Sequence, residues 1–252
     1  MGQSSGRRWF LKSVTALGGA ASLPAPASAA EPHAQHAARA PSQTYMYLTQ
    51  PEVAFVEAAV ARLIPADELG PGAKEAGVAC FIDRQLVGAW GTMAKMYRQG
   101  PWPEGTPQQG YQSPLTPQQV YRIGIGEVNA RCAKQYGSSF SALTPAQQDE
   151  VLRGLDGGKI ELEGVRSQFF FNMLLANTLE GFFADPIYGG NRDKVGWKLV
   201  GFPGVAAVYT AHVDQHGVPY NAMPVSIQDI VDKVAQVDEH GHPKHVLLTR
   251  KD

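Results

Sequence analysis

Four candidate helix starts in this 252-residue chain share one pattern, a hydroxyl side chain followed, three positions later, by Glu, Gln or Asp. They are Thr49-Gln50-Pro51-Glu52, Thr116-Pro117-Gln118-Gln119, Thr144-Pro145-Ala146-Gln147 and Ser226-Ile227-Gln228-Asp229. A hydroxyl at a helix cap accepts the N–H three residues on, and the side chain there reaches back to the N–H of the cap residue. Two donors that the helix itself leaves unpaired are thus satisfied. Pro117 and Pro145 fall at the first helical position, where proline has no hydrogen bond to lose. The spacings between the four differ, so they are local start signals and not an internal repeat.

Helical periodicity follows each start. Val53, Val56, Val60 and Leu63 recur at three- and four-residue steps until Pro65. Val78, Ile82, Leu86, Trp90, Met93 and Tyr97 predict a longer helix ending at Gly100-Pro101, and Tyr121, Ile125, Val128, Cys132 and Tyr136 another, stopped by Gly137. Val151, Leu152 and Leu155 mark a short helix closed by Gly157-Gly158. Val165, Phe169, Met173, Ala176, Leu179 and Phe183 continue the pattern to Asp185-Pro186. No stretch alternates as a strand would. The expected class is mainly α, a single helical domain with a long glycine- and aromatic-rich C-terminal loop over 187–203.

The N-terminus carries a different kind of signal. Arg7-Arg8 precedes Trp9, Phe10, Leu11 and Lys12, then a mild Ala- and Gly-rich apolar run to Leu23. That is the pattern of a twin-arginine export signal, an address read by a receptor. Ala27-Ser28-Ala29 supplies a cleavage site, so the mature chain is expected to begin near Ala30. Losing Arg7, Arg8 and Lys12 takes the formal net charge from −1 to −4, which argues against a nucleic-acid partner. The expected layout is signal (1–29), loose leader (30–47), helical domain (48–204) and C-terminal extension (205–252). No later segment is long and apolar enough to span a bilayer, so any membrane contact is expected through a complex.

Cys80 and Cys132 are the only cysteines. In an oxidising compartment they are a candidate disulfide; two buried thiols, or a bridge to a partner chain, are the alternatives. Neither belongs to C-x-x-C-H, and no cysteine cluster could hold an iron–sulfur centre on this chain.

The run Glu180-Gly181-Phe182-Phe183-Ala184-Asp185-Pro186-Ile187-Tyr188-Gly189-Gly190-Asn191-Arg192-Asp193, continued by Gly196-Trp197-Lys198-Leu199-Val200-Gly201-Phe202-Pro203-Gly204, closely resembles the signature of the gluconate 2-dehydrogenase subunit 3 family. Leu63-Ile64-Pro65-Ala66-Asp67, Pro71-Gly72-Ala73 and Phe140-Ser141-Ala142-Leu143-Thr144 add to the resemblance, which covers about 48–204. It implies a small subunit with no cofactor of its own, paired with a large flavoprotein that oxidises a sugar or sugar acid such as gluconate, glucose, fructose or sorbitol. FAD, with an iron–sulfur cluster as a further candidate, would sit in that partner, and haem c in a multihaem cytochrome partner. The implied place is the periplasm, at the inner membrane. A protein of this kind would escort its unsignalled flavoprotein through twin-arginine export. Tyr188, Asn191, Arg192, Asp193, Trp197 and Phe202 have the character of a partner interface, because aromatics and Arg anchor interfaces. The alternative is that this loop folds back on its own helices.

Competing chemistries find less support. Gly124-Ile125-Gly126 lies inside a helical stripe and not after a strand, so it fails as a nucleotide-binding loop. His212 and His216 are four apart and could flank a metal with Asp214, but Gly217 and Pro219 follow at once. His240, His242 and His245 form a biased tract, and Glu57, Asp67, Glu68 and Asp83 do not pair as acid and base. A stand-alone periplasmic oxidoreductase and a metal-binding helical module remain the alternative functions.

Overall fold

The start signals fall where helices begin. In the computed structural model, which describes residues 44–103, 105–205, 209 and 212–246, the helices are α1 (Gln50–Leu63), α2 (Val78–Val87), α3 (Ala89–Thr92), α4 (Pro117–Tyr136), α5 (Pro145–Asp156), α6 (Ser167–Phe183), α7 (Val195–Val200) and α8 (Ile227–Val231). Among the described residues there is no β-strand, only isolated bridges such as Gly204 with Val225. The export motif with Arg7, Arg8, Phe10 and Leu11, the cleavage site and the leader before Thr44 lie outside the described residues. No described helix is long and apolar enough to cross a membrane.

All four boxes close. The carboxylate of Glu52 accepts the Thr49 N–H at 2.8 Å, the amide oxygen of Gln119 accepts the Thr116 N–H at 2.8 Å, and the carboxylate of Asp229 accepts the Ser226 N–H at 2.8 Å. Gln147 closes the box of Thr144 at 3.0 Å. Each cap is worth about 1 kcal/mol. Burying a phenylalanine is worth about 2–3 kcal/mol, and Phe55, Phe140 and Phe170 are wholly buried, with the Phe55 ring 4.6 Å from Phe140 and 6.2 Å from Phe170. The caps therefore decide where helices start, and the aromatic cluster of α1, α6 and the turn at Phe140 decides how they pack.

Two stripes differ from expectation. The run from Val78 to Tyr97 is not one helix: Gly88 is extended between α2 and α3, and Met93 takes a left-handed conformation that ends α3. In α6 the buried side chains are Phe170, Phe171, Leu174, Asn177, Thr178 and Phe182, one position round from the stripe read in the sequence. The cause is that α6 is apolar on nearly every face, so periodicity alone cannot set its rotation. A notch on α4 sets it: a Cβ at Gly124 would lie 2.6 Å from the Phe170 ring, so only glycine admits that ring.

The candidate disulfide does not form. Cys80 and Cys132 are both buried and free. The Gln118 amide at the start of α4 donates to the Leu86 carbonyl near the end of α2 at 2.8 Å. From that point Cys132 lies about 21 Å up α4 and Cys80 about 9 Å back along α2, so even antiparallel helices would keep them about 12 Å apart. A disulfide needs Cα atoms within about 7 Å. Burial pushes the Cys132 thiol above its ordinary pKa, so it is also a poor nucleophile. We expect thiol titration of the native protein to detect neither cysteine, denaturation to release both, and reductant to leave the melting temperature unchanged. A reductant-sensitive melt would restore the bridge.

One buried side chain gathers three backbone bonds from the first described residues. Asp83 on α2 is 1% exposed and accepts the backbone N–H groups of Met46, Tyr47 and Leu48 at 2.7, 2.9 and 2.8 Å.

Candidate functional site

A helix leaves its last carbonyls without partners inside the helix, and the loop after α6 supplies them. The Trp197 indole donates to the Phe183 carbonyl at 2.7 Å, and the Asn191 amide donates to the Ala184 carbonyl at 2.8 Å. The Asn191 side-chain oxygen accepts the Gly196 N–H at 2.8 Å, so this fully buried residue ties the start of α7 to the end of α6. The Arg192 N–H reaches the Ala76 carbonyl at 2.9 Å, anchoring the loop to the segment before α2. Gly190 lies flat on α6: a Cβ there would stand 2.1 Å from the Gly181 carbonyl oxygen. Three residues hold left-handed backbone angles in this turn, Asn191, Asp193 and Lys194, with φ of 46°, 57° and 57°. The bonds that Asn191 makes on both sides offset that strain.

The structure thus divides the residues read as an interface. Asn191 and Trp197 are buried and face their own domain, because the helix end needs their donors. For these two the folded-back reading replaces the interface reading. The Arg192 backbone is also turned inward, while Tyr188, Asp193 and Phe202 lie at the surface, with the Phe202 ring edge-on to Trp197 at 5.2 Å.

Sequence reasoning missed what holds the loop from outside. Asp185 accepts the Ile187 N–H at 3.0 Å within its own turn, and its other oxygen accepts the Ile227 N–H of α8 at 2.7 Å. Lys194 pairs with Asp229 at 2.6 Å. Burial alone would raise the Asp229 carboxyl, but Lys194 and the Ser226 cap outweigh it and hold Asp229 below the ordinary carboxylate range. Val205 and Val225 add backbone bonds beside Gly204. The C-terminal extension is therefore a strap laid over the signature loop. The Ser226 box predicted α8, but no local signal could show where α8 docks.

His212, His242 and His245 are engaged locally. His212 lies 3.3 Å from Gln215 and edge-on to the Tyr220 ring, the His245 ring is 2.7 Å from the Tyr220 hydroxyl, and His242 pairs with Asp238 at 3.2 Å. Among the described residues no three His, Cys, Asp or Glu side chains converge as a metal site. Gly124 and Gly126 lie inside α4. One polar relay crosses the core: the buried Tyr121 hydroxyl donates to Asn177 at 2.9 Å, and Asn177 donates to Glu180 at 3.0 Å. Burial first, and Glu180 second, push the Tyr121 phenol well above its ordinary pKa, so it stays protonated and serves as a donor.

The chain's family is shown by sequence comparison. The family model for gluconate 2-dehydrogenase subunit 3 matches residues 50–204, well over half of the chain, and the chain belongs to that family. It is accordingly a small subunit type of a multisubunit dehydrogenase. No curated protein and no solved structure matches the sequence.

Proposed function

We propose that this chain is the non-catalytic small subunit of a periplasmic, membrane-associated dehydrogenase of sugars or sugar acids, which stabilises an FAD-carrying large subunit and escorts it through twin-arginine export. The observation that carries the reading is the family match over 50–204, joined to the Arg7-Arg8 pattern at the N-terminus. The use of the signature loop supports it: Asp185, Asn191 and Trp197 each direct their polar atoms at backbone groups of their own domain. Those side chains hold a shape. Chemistry on the substrate then belongs to the flavin of the large subunit, and a multihaem cytochrome c subunit takes the electrons at the inner membrane.

The test is to change Arg7-Arg8 to Lys-Lys in the producing cell and measure dye-linked dehydrogenase activity in periplasm and cytoplasm. We expect the flavoprotein and its activity to accumulate in the cytoplasm. Undiminished periplasmic activity would remove the escort role.

A further inference from the structure

From Arg84 to Pro103 the chain has three basic residues, Arg84, Lys95 and Arg98, and no acidic one, within a protein that is net negative. The same stretch also exposes four large apolar side chains: Val87 is 42% exposed, Trp90 39%, Met96 59% and Tyr97 82%. Such residues rarely collect on the surface of a domain that works alone.

The patch is built, not frayed. The Thr92 N–H bonds to the Gly88 carbonyl, Met93 to Trp90, Ala94 to Ala89 and Met96 to Met93, all within 3.2 Å. Buried Met93 roots the turn in the core. Arg84 also donates to the Ile187 carbonyl at 3.2 Å, which joins the patch to exposed Tyr188 on the signature loop. The outward-facing part of that loop and the 84–98 segment are therefore neighbours.

We infer that this face, centred on Trp90, Met96 and Tyr97 with Arg84 and Lys95 at its margin, is the docking surface for an acidic face of the dehydrogenase's large subunit. Trp, Tyr, Met and Arg are the residue types enriched where proteins dock, and the exposed cations Arg84 and Lys95 match a negatively charged partner. An anionic membrane would also attract the cations. A backbone-bonded turn, however, presents its aromatics in one fixed geometry, which a protein pocket can use and a fluid headgroup layer does not need. The inference rests on the reading that this chain is a subunit of a flavoprotein complex.

The experiment is to co-express the full chain with the flavin-binding dehydrogenase subunit of the same organism and purify the complex by size exclusion. Binding is then compared with that of the variants Met96→Ala/Tyr97→Ala and Lys95→Glu. These side chains are exposed, so the variants should melt like the parent. We expect the double variant to weaken binding by about thirtyfold or more, as loss of a central aromatic anchor does, and Lys95→Glu to slow association with a reduced salt dependence. In the parent complex, hydrogen exchange should slow across 87–98. If the parent forms no complex, the subunit reading itself fails. If it forms one but the variants bind equally and 87–98 stays unprotected, the docking surface lies elsewhere. If the double variant instead loses binding to phosphatidylglycerol vesicles while its complex is intact, the face is a membrane contact and the inference is overturned.

Discussion

Asp83→Ala is expected to lower stability by about 3–5 kcal/mol, since hydrogen bonds to a charged group are worth about 1.5–3 kcal/mol each. Three are lost at once, from Met46, Tyr47 and Leu48. The Leu48 bond is fully buried, so its N–H would stay without a partner. Met46 and Tyr47 are only partly buried, so water can replace some of theirs, which keeps the sum below three full bonds. Other contacts hold the segment too: the Tyr47 hydroxyl donates to the Gln118 carbonyl at 2.9 Å, and the Arg122 guanidinium lies 4.7 Å over the Tyr47 ring. The first effect should therefore be local, with faster hydrogen exchange at 46–48 and earlier proteolysis there. The global melt should fall on the order of 10 °C for a domain of this size. Asp83→Asn keeps the volume but offers one acceptor oxygen in place of two, so it should fall between the parent and Asp83→Ala. If Asp83→Ala melts with the parent, the carboxylate is not the latch.

That latch shows what a sequence can and cannot reveal. In the sequence Asp83 reads only as an acid or base, because its partners are backbone groups thirty-five or more positions earlier and leave no mark in residue type. The helix starts were legible because a capping box is a local object: donor and acceptor lie three residues apart. Even so, local text is not sufficient. Thr106-Pro107-Gln108-Gln109 repeats the four letters of Thr116–Gln119 and closes the same box, with the Thr106 N–H 2.7 Å from Gln109. Yet Gly110 follows, with φ of 73°, and only one turn of 3-10 helix forms. A start signal needs a helix-forming sequence behind it. Rotation was less legible than length. The buried face of α6 is not legible because Phe169 and Phe170 look alike in the sequence, and the glycine that admits one of them lies on another helix. The signature loop stands out as a unit by its residues, but its split into inward and outward side chains does not. Asn191 and Trp197 turn in because the end of α6 has free carbonyls, a demand that appears only once the helix is folded.

The loop gives the second large effect. Gly190→Ala places a methyl group 2.1 Å from the Gly181 carbonyl oxygen, about an ångström inside any real contact. The obstacle is helix backbone, which cannot rotate aside as a side chain would. Gly190 does not hold a left-handed conformation, so the cost is purely steric. The loop must lift, and the bonds that depend on its height go with it: Asn191 to Ala184, Gly196 to Asn191, and Trp197 to Phe183. At about 1 kcal/mol net for each bond, plus stranded carbonyls at the helix end, the loss should reach about 3–5 kcal/mol. Three observables separate this from general weakening. Trp197, now buried, should shift its fluorescence to the red as it meets water. Exchange should rise across 185–204 while α1 and α4 stay protected. Because Asp185 and Lys194 hold α8 through Ile227 and Asp229, exchange at 225–232 should rise in step, although no residue there was changed. Asn191→Ala should produce the same pattern at smaller amplitude, since it removes two bonds without forcing the backbone apart. If Gly190→Ala loosened the loop and left α8 protected, the strap would be held by contacts other than Asp185 and Lys194. The signature loop would then seal the end of α6 without also carrying the extension.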